Sequence, residues 1–152
     1  MYLVDTNILS AGASASTSSS IGSVSRNDLL AWMDAASDRL FLSVVTVTEI
    51  EAGIAKAARQ GATRKAADLA EWLDALVHLY GTRILPVDLA IARLAGKLAD
   101  VAQGGGFAPG TADILIAATG MRHGLVILTR NFRHSGPLGV AAINPFETLP
   151  TS

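Results

Sequence analysis

Apolar positions along the chain follow two periods. MYLV (1–4), RLFLSVV (39–45), RILPV (83–87), LVILT (125–129) and GVAAIN (139–144) are short apolar runs, most of them rich in β-branched or aromatic residues, and predict strands. Between them the spacing turns helical: LLAWMDAA (29–36), EIEAGIAKAARQ (49–60), a stripe of Leu69, Trp72, Leu73, Leu76 and Tyr80, LAIARLAGKLADVAQ (89–103) and DILIAATGMRH (113–123). Strands alternating with helices predict an α/β fold with a mostly parallel central sheet flanked by helices. The Trp32 and Trp72 stripes read as core, and His78, set among leucines, reads as structural.

The 152 residues suit one domain spanning 1–152 with one hydrophobic core. Two stretches interrupt the periodic pattern. SAGASASTSSSIGSVS (10–25) is too poor in large side chains to supply core contacts and predicts a flexible surface loop. GGGFAPGT (104–111) follows a helix, not a strand, and lacks a GK[ST] ending, so it reads as a turn before it reads as a phosphate loop.

Composition narrows the chemistry. Half of the residues are apolar, yet no uninterrupted apolar run approaches the roughly 18 that a membrane span requires. The composition reads as that of a soluble protein with a generous core, the alternative being apolar surface covered by a second subunit or a partner. A formal charge of −1 gives no global basic field, so any polyanion site must be local. The absence of cysteine excludes disulfides, thiolate catalysis and zinc–thiolate sites. MYLVDTN has no basic leader region and carries an acid at position 5, which predicts a cytoplasmic protein without a signal peptide.

Three acids then stand out against this apolar background. Asp5 ends the first strand, Glu49 lies in the TVTE stretch, and Asp113 opens an almost wholly apolar helix. Each has a structural explanation: Asp5 or Asn7 as a helix cap, Thr46 and Glu49 as a capping box, Asp113 as a charge favoured by a helix dipole. On a parallel sheet, however, strand carboxyl ends and helix N-termini lie along one edge, where ligands bind. Asp5, Glu49, Asp113 and Asn131, which follows LVILT, should converge there. Carboxylates gathered in one cleft repel unless a cation sits among them. A hard ion such as Mg²⁺, completed by phosphate oxygens, resolves the conflict and suits phosphodiester hydrolysis.

LVDTNILS, SVVTVTEIEAGI, TADILIAATG, LTRN and INPFE, in that order, resemble a PIN-domain ribonuclease of the VapC toxin type, and the likeness runs from Tyr2 to Glu147. The resemblance implies a parallel-sheet α/β fold, dependence on Mg²⁺ or Mn²⁺, endonucleolytic cleavage of RNA, homodimerisation and a small cognate antitoxin. It places Asp5, Glu49 and Asp113 on the family's metal-site acids and Thr6 on its nearby hydroxyl, and it adds Asn131 to the catalytic set. Many members carry an acid at position 131, or an asparagine there with an aspartate three residues on. Here Asn131 and His134 stand at those positions, which leaves a second metal position without its acid.

Arg130, Arg133 and His134 are the candidate substrate-binding residues beside the cleft, with Arg122 and His123 just upstream. Arginine suits phosphate because its planar fork donates paired hydrogen bonds. The competing readings are a PIN-fold RNA-binding or regulatory module with little turnover, motivated by the missing acid, and a nucleotide-binding domain using the glycine run. A metal-free His123–His134 acid–base pair has no spacing to support it.

Overall fold

The computed structural model describes residues 1–13, 22–131 and 135–151. Strand β1 (Tyr2–Val4) leads into helix α1 (Thr6–Ala13), followed by α2 (Arg26–Ala35), β2 (Leu40–Ser43), α3 (Val44–Arg59), α4 (Thr63–Tyr80), β3 (Ile84–Leu85), α5 (Leu89–Gly104), α6 (Thr111–His123), β4 (Val126–Leu128) and β5 (Ala142–Ile143). Among the described residues the sheet has five strands in the order β3-β2-β1-β4-β5, and every pairing is parallel.

The strands face two cores because side chains alternate across a pleat. Leu3 and Ile127 point to one side, where they meet Ile91, Leu98, Ile116 and Ala117 of α5 and α6. Val4, Leu40, Leu42 and Leu128 point to the other, against Ile8 and Leu9 of α1, Leu29 of α2 and Tyr80 of α4. Trp32 and Trp72 pack against this second core as partly buried side chains, and the Trp32 ring meets Tyr2 edge-on at 5.5 Å. His78 is exposed on α4, so the structural reading of that residue does not hold.

Helix α6 lies close to β4. A Cβ on Gly120 would stand 3.1 Å from Ile127 Cγ1, so glycine allows this approach. Gly124, at φ +64, then ends α6 in the left-handed region and returns the chain to the sheet.

Two element boundaries differ from the sequence reading. Val44 and Val45, expected in a strand, open α3 because the buried Ser43 caps it, its hydroxyl oxygen accepting the Val45 N–H at 3.1 Å. The capping box drawn from Thr46 and Glu49 therefore falls inside the helix, and Thr46 Oγ1 is buried without a hydrogen-bond partner. The loop placed at 10–25 begins later than expected, since residues 10–13 complete α1. Residues 14–21 lie outside the described residues.

The chain builds β1, β2 and β3 outward on one side, then returns to add β4 and β5 on the other. The reversal opens a crevice at the carboxyl ends of β1 and β4, the position where open α/β sheets bind ligands.

Candidate metal and nuclease site

Asp5 occupies that crevice because β1 ends one residue before it. Its N–H still donates to Leu128 O of β4 at 2.9 Å, and its carbonyl accepts the Ile8 and Leu9 N–H groups that begin α1. The side chain is thus fixed between the central strand and a helix start. Thr6 N–H donates to Asp5 Oδ1 at 2.7 Å. Oδ2 accepts the Thr129 hydroxyl at 2.7 Å and the Asn7 amide at 3.0 Å.

Asp113, in the first turn of α6, lines the same small pocket as Asp5, together with Thr129, Asn131 and Ser135. Ile116, Ala117, Ile127 and Leu138 form its apolar back. Glu49 stands in the second turn of α3, outside this lining, with Oε1 accepting the Thr6 hydroxyl at 2.7 Å. Among the described residues no three His, Asp or Glu side chains form a ready metal cluster. Asp5 and Asp113 share a pocket, and Glu49 adjoins it through Thr6, close enough for its charge to act on both.

Burial is the main cause that pushes Asp5 above the usual carboxylate range. The Thr129 and Thr6 hydrogen bonds pull against it, and the charge of Asp113 adds to it. Glu49 is also raised, first by burial and then by Asp5 and Asp113, with the Thr6 bond opposing. The lining among the described residues offers oxygen donors from Asp5, Asp113, Thr129, Asn131 and Ser135, a donor set that fits a hard divalent ion holding one or two carboxylates and several waters.

The remaining expected residues are scattered. Asn131 lines the pocket and its N–H donates to Thr129 Oγ1 at 3.0 Å. Arg130 is exposed, its guanidinium 5.3 Å over the ring of Phe146, and its backbone N–H donates to Asn7 Oδ1 at 3.2 Å. Arg133 and His134 lie outside the described residues, and so does the His123–His134 pairing. Arg122 and His123 close the helix that Asp113 opens, roughly 15 Å away along its axis, so they do not flank the crevice. Asn7, Thr129 and Ser135 were missed as site residues. The first two were visible only as the third letter of LVDTN's DTN and the second of LTRN, motifs in which the acid and the asparagine draw the eye.

The PIN-domain family profile matches residues 2–136. The chain belongs to the PIN-domain family. Residues beyond 136 still complete this PIN fold, since β5 extends the sheet and Phe146 is buried in the second core. Over 148 residues the chain is 34% identical to the VapC ribonuclease Y4jK of Sinorhizobium fredii, covering 97% of this chain and 99% of that protein. It is 29% identical to the toxin FitB of Neisseria gonorrhoeae, with the same coverage of both. The crystal structure of FitAcB from Neisseria gonorrhoeae superposes with a TM-score of 0.79 at 29% identity, covering 96% of this chain and 99% of that one. These relatives place the chain among VapC-type PIN toxins. Among the described residues no helix is long and apolar enough to cross a membrane.

Proposed function

We propose that this PIN domain is the toxin of a toxin–antitoxin pair and acts as a Mg²⁺- or Mn²⁺-dependent endoribonuclease in the cytoplasm. The observation that carries the reading is the pocket shared by Asp5 and Asp113 at the strand-order reversal, with Glu49 beside it. Asp5 and Asp113 would hold the ion, with Glu49 as the third acid. When bound, the ion supplies polarisation of the phosphoryl group and stabilises the leaving oxygen.

The chain's own residues do the rest. Thr129, Asn7 and Thr6 keep the Asp5 carboxylate in one orientation. Thr6 also steadies Glu49, whose raised pKa suits it to take the proton of the attacking water as that water's oxygen bonds to phosphorus and the bond to the leaving sugar oxygen breaks. Arg130, next in the chain to Thr129 and bonded through its N–H to Asn7, would be the cation that meets a phosphate.

An antitoxin has a plausible seat in a second, open groove between α1, α2 and α4. It has a volume of about 310 Å³ and is lined by Leu9, Leu30, Met33, Trp72, Leu76 and Tyr80, among others. A second copy of the chain is the proposed cover for the exposed Leu89 and Val101 of α5 and Met121 of α6.

The decisive experiment incubates purified protein with a set of structured RNAs, with and without Mg²⁺ or Mn²⁺, beside Asp113→Asn. Cleavage that needs the ion and disappears in the folded variant supports the reading. RNA binding without cleavage at any ion concentration would favour the regulatory module instead, for which the uncharged Asn131 in the pocket wall is the supporting observation.

A further inference from the structure

We propose that Thr129 and Asn7 are positioning residues that leave Asp5 a single oxygen lone pair for a cation, and so select a small octahedral ion, Mg²⁺ or Mn²⁺, over Ca²⁺. The proposal rests on the metal-dependent reading above and names what makes that site selective.

An ionised carboxylate offers about four lone-pair directions. On Asp5, Oδ1 receives the Thr6 N–H at 2.7 Å, and Oδ2 receives the Thr129 hydroxyl at 2.7 Å and the Asn7 amide at 3.0 Å. Oδ2 is therefore saturated. One direction remains, on Oδ1.

The two donors are themselves held in a network. A threonine hydroxyl has one hydrogen and two lone pairs. Thr129 gives its hydrogen to Asp5 and accepts from Asn7 Nδ2 at 3.2 Å and from Asn131 N–H at 3.0 Å. The Asn7 amide nitrogen donates toward both Asp5 Oδ2 and Thr129 Oγ1, which stand close enough together to share one of its hydrogens, while its Oδ1 accepts the Arg130 N–H at 3.2 Å. Thr129 is 2% exposed. Its hydroxyl has no capacity left for substrate, which makes it a positioning group.

A carboxylate with one open direction binds a cation through one oxygen. Mg²⁺ demands near-ideal octahedral geometry, keeps several waters and is served by such ligands. Ca²⁺ takes six to eight oxygens and readily chelates both oxygens of one carboxylate. Two-oxygen chelation at Asp5 would require breaking its bond to Thr129 or Asn7.

The test is calorimetric titration of the intact protein, without RNA, with Mg²⁺, Mn²⁺ and Ca²⁺ in turn, on wild type, Thr129→Val, Thr129→Ser and Asn7→Ala. Valine matches threonine in shape and removes the hydroxyl. Loss of such an outer partner costs about 10–100-fold in metal affinity. Thr129→Val should therefore weaken Mn²⁺ by that factor while Ca²⁺, given access to Oδ2, changes far less, so the Mn²⁺-to-Ca²⁺ affinity ratio falls about tenfold or more. Thr129→Ser, which restores the hydroxyl, should restore the ratio. Should Thr129→Val fail to fold, Asn7→Ala opens a direction on the same oxygen and should show the same fall. An unchanged ratio in a folded Thr129→Val or Asn7→Ala, or a wild type that binds Ca²⁺ as tightly as Mn²⁺, overturns the proposal while leaving the nuclease reading standing. A wild type that binds none of the three ions overturns both.

Discussion

Thr6→Val isolates the hydrogen bond that joins α1 to Glu49. Valine keeps the side-chain volume and removes only the hydroxyl that donates to Glu49 Oε1 at 2.7 Å. A bond to a buried carboxylate would be worth about 1.5–3 kcal/mol, but Glu49 is exposed enough for water to compete, so about 0.5–1.5 kcal/mol is the appropriate range. The bond favours the ionised form, so its loss should raise the Glu49 pKa further. Glu49 already lies above its ordinary value, chiefly through burial. Relative to the unfolded chain, its protonated form is thus the one that folding favours, and that contribution is lost as pH rises through the folded-state pKa.

Two consequences follow with opposite pH weight. The destabilisation by Thr6→Val should be full where Glu49 is ionised and vanish where it is protonated, reaching a fall in Tm of about 1–6 °C at neutral pH. If Glu49 must be ionised to take a proton, the acid limb of RNA cleavage should move to higher pH, with the plateau rate little changed. Thr6→Ser should behave as wild type on both counts. Melts from pH 4 to 8 and cleavage rates over the same range measure both effects. An acid limb that stays in place in a folded Thr6→Val would refute the link between Thr6, Glu49 and proton transfer.

Asp113→Asn should retain the fold and lower the cleavage rate by about 10²-fold or more, the scale expected when one preorganised electrostatic contact to the reacting group is lost; melts and single-turnover cleavage read both, and full activity would remove Asp113 from the site. Asn131→Asp should add charge to the pocket it lines with Asp5 and Asp113, lowering the metal concentration for half-maximal cleavage and the melting temperature in chelator, and no change in either would mean that this side chain does not act on the ion. Gly120→Val should cost about 1–3 kcal/mol by overpacking against Ile127, whose Cγ1 lies 3.1 Å from an added Cβ, and an unaltered Tm would show that α6 shifts freely over β4.

Much of this architecture could be read from periodicity alone. The sheet strands all lie within their expected apolar runs, because parallel strands buried on both faces produce short continuous runs bounded by polar residues. The start of α3 could not be read this way: Val44 and Val45 look like strand, and only the Ser43 cap decides otherwise. The edge on which Asp5 and Asp113 meet followed from fold class, since both lie where a strand ends or a helix begins. What escaped was the hydroxyl and amide network. Asn7 and Thr129 are 122 positions apart and touch only because β1 and β4 are neighbours, a pairing that no local pattern encodes. The hydrogen bond that joins Glu49 to Thr6 is likewise a contact 43 residues distant in sequence.

That network changes what a conservative substitution means at this site. Asparagine for aspartate is commonly taken to remove charge and nothing else, yet Asp5 uses three acceptor directions on two oxygens. An amide has one oxygen. Turned toward Oδ2's place, its nitrogen would confront the Asn7 amide and the Thr129 hydroxyl, both of which already donate there. Turned toward Oδ1's place, it would confront the Thr6 N–H and close the one direction left open to a cation. Either orientation leaves a partly buried donor unpaired, at about 1–3 kcal/mol. Inactivity of Asp5→Asn would therefore mix a lost ligand with a disordered α1 start, where Thr6 also loses its grip on Glu49. The charge of this site is better probed at Asp113 and at Glu49, and Asp5 is better probed through Thr129, where a single methyl-for-hydroxyl exchange leaves the carboxylate in place and changes only how many of its lone pairs are free.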